Sequence, residues 1–321
     1  MRGTMLIRLN KGLEKVMPLL TPTGVLIGVV GTYWLNSYAG FVPWIFAVMT
    51  FSGSLGSSFK DLVKVMTHPK PIICLFVILH IVMPFVGWTA GHVLFPNDLY
   101  TETGYILLFV IPTGVVSVVW VSIYKGNIPL TLSLILLDTL LSPLIVPASL
   151  NLWVGAKVQM DVWAIMKGLL WMVVIPSLIG MALNQMTKGR IKKTWGATLA
   201  PFSKIGLFVV VAINSSLVAP YLKQFNGKLM MIIIVTLVTT MMGYLAGWAI
   251  SRWFRWDRDF TVTAIFNSGM RNLSAGAVLA VQYFPAPVAL PVISGILFQQ
   301  ILAALFGYLL GKRQLVEGKI K

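Results

Sequence analysis

The sequence predicts an all-α integral membrane protein with ten transmembrane helices. Three observations carry this. Of 321 residues, 57% are hydrophobic and 11% charged, with a mean hydropathy of +0.86, whereas a soluble domain carries about 25% charged residues. Apolar runs of near-bilayer length follow one another with short polar breaks. Nineteen of the 25 Lys and Arg fall on one side of the resulting topology, three in the opposite loops and three inside spans. This positive-inside asymmetry puts both termini in the cytoplasm of a multi-pass protein of the cell (inner) membrane. It also explains the net charge of +16 without invoking nucleic acid as a partner.

The expected spans are 16–35, 41–55, 71–95, 102–124, 128–152, 162–184, 197–222, 229–254, 260–284 and 288–310. The first follows a basic start and has no A-x-A-like cleavage site, so it reads as a retained helix. The second is short and ends on Gly53 and Gly56, so it is expected to continue into 57–59. The third carries Cys74, the only cysteine, which excludes an internal disulfide and reads as a small buried hydrophobe. Lys167 and Lys204 lie near span ends and are expected to snorkel. Trp34, Trp44, Trp153, Trp195, Trp253 and Trp256 sit near span ends, as an interfacial belt would.

The two halves, 1–157 and 158–321, have the same layout. Each places a helix broken by small and polar residues fourth. Gly114 and Gly269 are 155 residues apart, close to half the chain. Five spans is an odd number, so the halves are inverted, and inverted repeats with interrupted helices are the plan of a secondary transporter. The break candidates are Pro112-Thr113-Gly114 and Asn267-Ser268-Gly269. A packing kink explains either one alone; the matched pair favours half-helix N-termini that attract an anion.

Arg271 lies mid-span, too deep to reach water easily, so it is expected to be paired or to line a cavity. Asp138 is the only deep carboxylate, and an Asp138–Arg271 contact, direct or through water, follows from the cost of leaving either alone. Arg271 could instead meet a substrate carboxylate, and Asp138 could load a proton. His80 is mid-span and reads as a bundle histidine before a proton carrier. Thr113, Gly114, Ser117, Asn267, Ser268, Arg271 and Asn272 are the candidate substrate contacts; Asp138, Arg271 and His80 are the candidates for ion coupling or charge balance. Ser274, Gln299 and Gln300 could bond a ligand or join helices. No hydrolase, zincin, P-loop or C-x-x-C signature is present, so no enzyme and no cofactor are expected.

Four stretches resemble the bile acid:sodium symporter family: 59–70 (Phe-Lys-Asp-Leu-Val-Lys-Val-Met-Thr-His-Pro-Lys), Ile111-Pro-Thr-Gly through Lys125-Gly-Asn127, Leu141-Ser-Pro143 and Gly269-Met-Arg-Asn272. The resemblance runs in order over nearly the whole chain. It implies a panel domain of spans one, two, six and seven and a core domain of the rest. It also implies that spans four and nine cross at their breaks with an organic anion beside them, such as a bile acid, pantoate or a keto acid. Sodium is the coupling ion it implies, held by polar side chains in spans three, four, five and nine. Here the span-four Ser-Asn pair reads Ser117-Val118, and the span-nine glutamate reads Asn267. The following Gln-Asn reads Arg271-Asn272, the span-five threonine falls on Ile135, and the span-three glutamine on Leu79. These changes remove a carboxylate and add a cation, so no metal-ligand set is assigned. The expectation is that the Arg271 guanidinium takes the place of a sodium ion, balanced by Asp138. A non-transporting sensor or assembly protein that kept the fold is the alternative.

Overall fold

The computed structural model describes residues 2–60, 69–155, 158, 160–224 and 226–317. Most of the 59–70 stretch, with Lys64, lies outside the described residues, as do Lys157, Lys319, Lys321 and the side chains of Arg2, Arg8, Lys11, Lys15, Lys312 and Arg313.

The described residues form α1 (Arg2–Val30), α2 (Val42–Ser54), α3 (Pro69–Leu94), α4 (Leu99–Val110), α5 (Ser117–Ile123) and α6 (Ile128–Val154). They continue with α7 (Val162–Met186), α8 (Lys192–Lys223), α9 (Gly227–Trp253), α10 (Arg258–Gly269), α11 (Leu273–Tyr283) and α12 (Ala289–Glu317). Among the described residues, six apolar stretches are long enough to cross a membrane: α3, α6, α7, α8, α9 and Ala286–Gly311. Leu19–Val30 and Thr32–Ser54 qualify as a pair bent by 89°. The molecule is an α-helical membrane protein, and its exposed large side chains include Trp34, Trp44, Trp195 and Trp253. Trp153 packs its ring against Phe85 and Trp88.

Side-chain caps start several helices. Asp98, Asn127, Asp161, Asn226 and Asn272 each accept a bond from the backbone N–H three residues on, which satisfies one of the orphan donors of the first turn. Two expectations shift. α2 stops at Ser54, and residues 57 and 58 are non-helical. The second break falls at 270–272 rather than at Asn267-Ser268-Gly269, because the α10 ladder runs on until Met270 N–H reaches Phe266 O at 3.0 Å.

Both breaks have local causes. Pro112 lacks an N–H and pushes Ile111 to φ −63°, ψ 149°, which ends α4. Gly269 ends α10 where a larger residue would not fit: an added Cβ would lie 2.3 Å from the Tyr244 ring. The two interruptions cross and pair as a short antiparallel bridge between Thr113 and Arg271. Gly114 N–H donates to Met270 O at 3.0 Å, and Asn272 N–H donates to Pro112 O at 2.8 Å. Each break thus satisfies backbone groups of the other, which is how irregular backbone survives at membrane depth. Gly114 permits the approach, since a Cβ there would sit 2.7 Å from Arg271 O.

Candidate functional site

A cavity of about 390 Å³ ends at this crossing. Gly114, Asn272, Leu273 and Ser274 form its end, Gln299 of α12 adds an amide, and α2 and α8 close it with hydroxyls and apolar side chains such as Thr50, Ser203 and Leu207. It extends to Ser57 and Gly196, the end of the molecule that carries the basic loop 188–193. The N-terminus of α11 faces the cavity. Asn272 caps Ala275 N–H at 3.3 Å, and the amides of Leu273 and Ser274, first in the helix, have no intrahelical acceptor. Such an end carries partial positive charge and suits an anion.

Arg271 is 3% exposed, and its guanidinium is held by backbone carbonyls. Nη2 donates to Leu79 O at 3.1 Å and Nη1 to Ile111 O at 3.4 Å. Both acceptors are orphans that proline makes. Ile111 O ends α4 before Pro112. Leu79 lies in a π turn of α3, Ile78–Val82, where Met83 N–H pairs with Ile78 O. The next carbonyl in that register, Leu79 O, would need an N–H at residue 84, which is proline. Arg271 N–H completes the mount by donating to Gln299 Oε1 at 2.8 Å.

Asp138 is 1% exposed and makes no ion pair with Arg271, so the expected direct contact is corrected. Its Oδ2 accepts from Thr113 N–H at 2.6 Å and Thr113 Oγ1 at 2.7 Å, and its Oδ1 lies 3.0 Å from His80 Nε2. The break residue Thr113 offers the carboxylate two donors, backbone and hydroxyl, in one place. The His80 ring lies tilted by 51° against Phe76, with ring centroids 5.0 Å apart.

Of the candidate substrate contacts, Gly114, Arg271 and Asn272 border the cavity. Thr113, Ser117, Asn267 and Ser268 are buried behind it. Ser117 Oγ donates to Asn267 Oδ1 at 3.1 Å, and Asn267 Nδ2 donates to Thr131 Oγ1 at 3.2 Å and Thr263 O at 2.8 Å. Lys204, on the cavity wall, extends its Nζ to Asn10 Oδ1 at 2.6 Å, before the expected start of the first span. The Leu79 carbonyl escaped sequence reasoning, although Pro84, five residues on, was its signal.

The model of the sodium bile acid symporter family matches residues 42–225, more than half of the chain. The chain is 51% identical to the uncharacterized protein YbaS of Bacillus subtilis over 299 residues, 93% of this chain and 98% of that protein. The chain belongs to the sodium bile acid symporter family. A second relative of this family, the uncharacterized sodium-dependent transporter YocS of Bacillus subtilis, is 24% identical over 80% of this chain and 78% of its own. A probable chloroplastic sodium/metabolite cotransporter, BASS1 of Oryza sativa, is 23% identical over 79% of this chain and 61% of its own. The chain is therefore a multi-pass membrane transporter.

The sodium that the family name implies does not fit the residues at the corresponding positions. The side chains of Leu79, Val118 and Ile135 have no oxygen. The Asn267 amide is committed to three partners. Arg271 brings a positive charge onto the Leu79 and Ile111 carbonyls. Sodium needs several converging oxygens, and these groups leave too few.

Proposed function

We propose that this transporter is a secondary-active carrier of small organic anions that works by alternating access without sodium. Taking α4 with α5, and α10 with α11, as broken spans gives ten spans in two inverted five-helix repeats, 1–157 and 158–321. α1, α2, α7 and α8 form a panel, and the other helices form a core that moves against it. The observation that supports this best is the α11 N-terminus opening onto a cavity at the crossing of two helix breaks. The anion's carboxylate sits against the free amides of Leu273 and Ser274, with Asn272, Ser274 and Gln299 orienting it. Arg271, at the cavity's end and held by the Leu79 and Ile111 carbonyls, acts as a tethered cation where relatives named sodium-dependent would use an ion. Asp138 balances it through Thr113, and His80 beside Asp138 is the place where a proton couples to the cycle.

The test is uptake of radiolabelled carboxylates, pantoate and 2-keto acids among them, into proteoliposomes of the purified chain. Flux is expected to persist when choline replaces sodium; a strict sodium requirement rejects the tethered-cation reading. Carboxylates that raise the melting temperature without crossing the bilayer would favour a non-transporting sensor. Asp138→Asn is expected to flatten the pH dependence of flux, and an unchanged rate and profile would end its coupling role.

A further inference from the structure

Two buried polar side chains on α8, Asn214 and Ser215, have no hydrogen-bond partner among the described residues, and Asn214 is the larger. Asn214 is 1% exposed, and among the described residues neither Oδ1 nor Nδ2 has a hydrogen-bond partner. It follows the apolar run 205–213 of α8. Removing a primary amide from water with both its polar ends unbonded is costly, and an apolar side chain of similar size would avoid that cost.

The neighbours of Asn214 point elsewhere. Ser215 faces α1, where a Cβ on Gly28 would meet its Cβ at 2.8 Å. Ser216 bonds Asn36 Oδ1 at 2.7 Å. Gly206, two turns before, faces Met49 of α2. Asn214 belongs to a different stripe. It is seven residues past Leu207 and eleven past Ser203, both of which line the cavity. Spacings of seven and eleven return to the same face of a helix. Asn214 thus continues the cavity wall of α8 about 10 Å beyond Leu207. The cavity lining stops short of Asn214, and α8 also packs on α11.

We infer that Asn214 is a wall residue of the opposite-facing cavity. When α8 and α11 part, its amide meets water and donates Nδ2–H to the anion in transit toward the Lys223 end of α8. The present cavity and the closed α8–α11 seam are then the two halves of one path, used in turn. This rests on the alternating-access reading above, which supplies the second conformation. It adds the residue that marks the far half of the path and the seam that must open.

The chain has one cysteine, so Cys74→Ser yields a cysteine-free background. In that background, Asn214→Cys and Ser203→Cys are each exposed to a charged, membrane-impermeant methanethiosulfonate in vesicles of both orientations. Ser203→Cys is expected to react from the side of the basic loop 188–193. Asn214→Cys is expected to react from the other side, at least tenfold faster than Ile205→Cys, which is exposed on the lipid-facing surface. Asn214→Cys inert from both sides, over a time in which Ser203→Cys reacts fully, overturns the inference. So does reaction only from the Ser203 side. Asn214→Leu supplies a second readout. Filling the seam with an apolar side chain is expected to raise the melting temperature and, in Asn214→Leu/Ser203→Cys, to increase Ser203 labelling by holding the cavity open on its own side; a lowered melting temperature with unchanged labelling would also overturn it. Carboxylate flux through the Cys74→Ser chain is measured in the same vesicles. Flux with Asn214→Cys inert sinks the inference alone, whereas labelling without flux of any carboxylate keeps the opening seam and sinks the carrier reading.

Discussion

At the scale of residues, the molecule depends on how a buried guanidinium is satisfied. Arg271 takes two carbonyls that helix geometry leaves unpaired. Arg271→Ala removes both bonds together with the charge. An unmet buried acceptor costs about 1–3 kcal/mol, so this variant is expected to lose about 2–5 kcal/mol in denaturant titration, with flux abolished. Arg271→Lys keeps the charge but cannot span two acceptors with a fork. It is expected to retain part of the stability and less than a tenth of the flux. At the far end of the bundle, partial burial pushes the Asp98 carboxyl up. Its bonds to Lys228 Nζ, at 2.7 Å, and to Thr101 outweigh that and hold it below the ordinary carboxylate value. A carboxyl depressed in the folded state stabilises above its unfolded pKa and loses that contribution as pH falls through the folded value. Asp98→Asn is therefore expected to melt below the parent chain at pH 7, with the gap closing in acid below the carboxylate range.

At the scale of elements, prolines at two helix interruptions create the acceptors that Arg271 uses. Pro84 deprives Leu79 O of a partner inside the π turn of α3. Pro84→Ala supplies an N–H in the right register, and Leu79 O would then bond within its own helix. A charged hydrogen bond is worth about 1.5–3 kcal/mol, a factor of ten or more. Flux is expected to fall about tenfold with helicity by circular dichroism unchanged. The start of α11 matters for a different reason. Asn272→Ala removes the cap on Ala275 N–H at a cost of about 1 kcal/mol. It is also expected to weaken carboxylate-induced thermal stabilisation, because the amides facing the cavity fray.

At the scale of the whole molecule, the cavity lies between two groups of helices, and its end is made of backbone. α1 packs along α8, and α9 along α10, so each partner moves most easily with its neighbour. Sodium independence is the molecular-scale prediction: flux in choline medium within twofold of that in sodium medium. Membrane nature, helix positions and the first break were legible because apolar length and proline act locally, within one segment. The helix starts at Val42, Ile128, Val162 and Gly227 lie within two residues of the positions expected from the sequence. Most of the site was not. Arg271 and Asp138 were both visible as deep charges, but their spacing in sequence, 133 residues, says nothing about which donors reach the carboxylate first.

Composition and the pattern of charges by themselves determined a helical membrane protein with a buried cation near its last break, since burying charge or polar backbone in lipid is costly wherever it occurs. Only the tertiary structure decided that this cation rests on Leu79 and Ile111 carbonyls while Asp138 turns to Thr113 and His80. Hydrogen bonds act over about 3 Å, and which groups come that close is set by how distant helices pack.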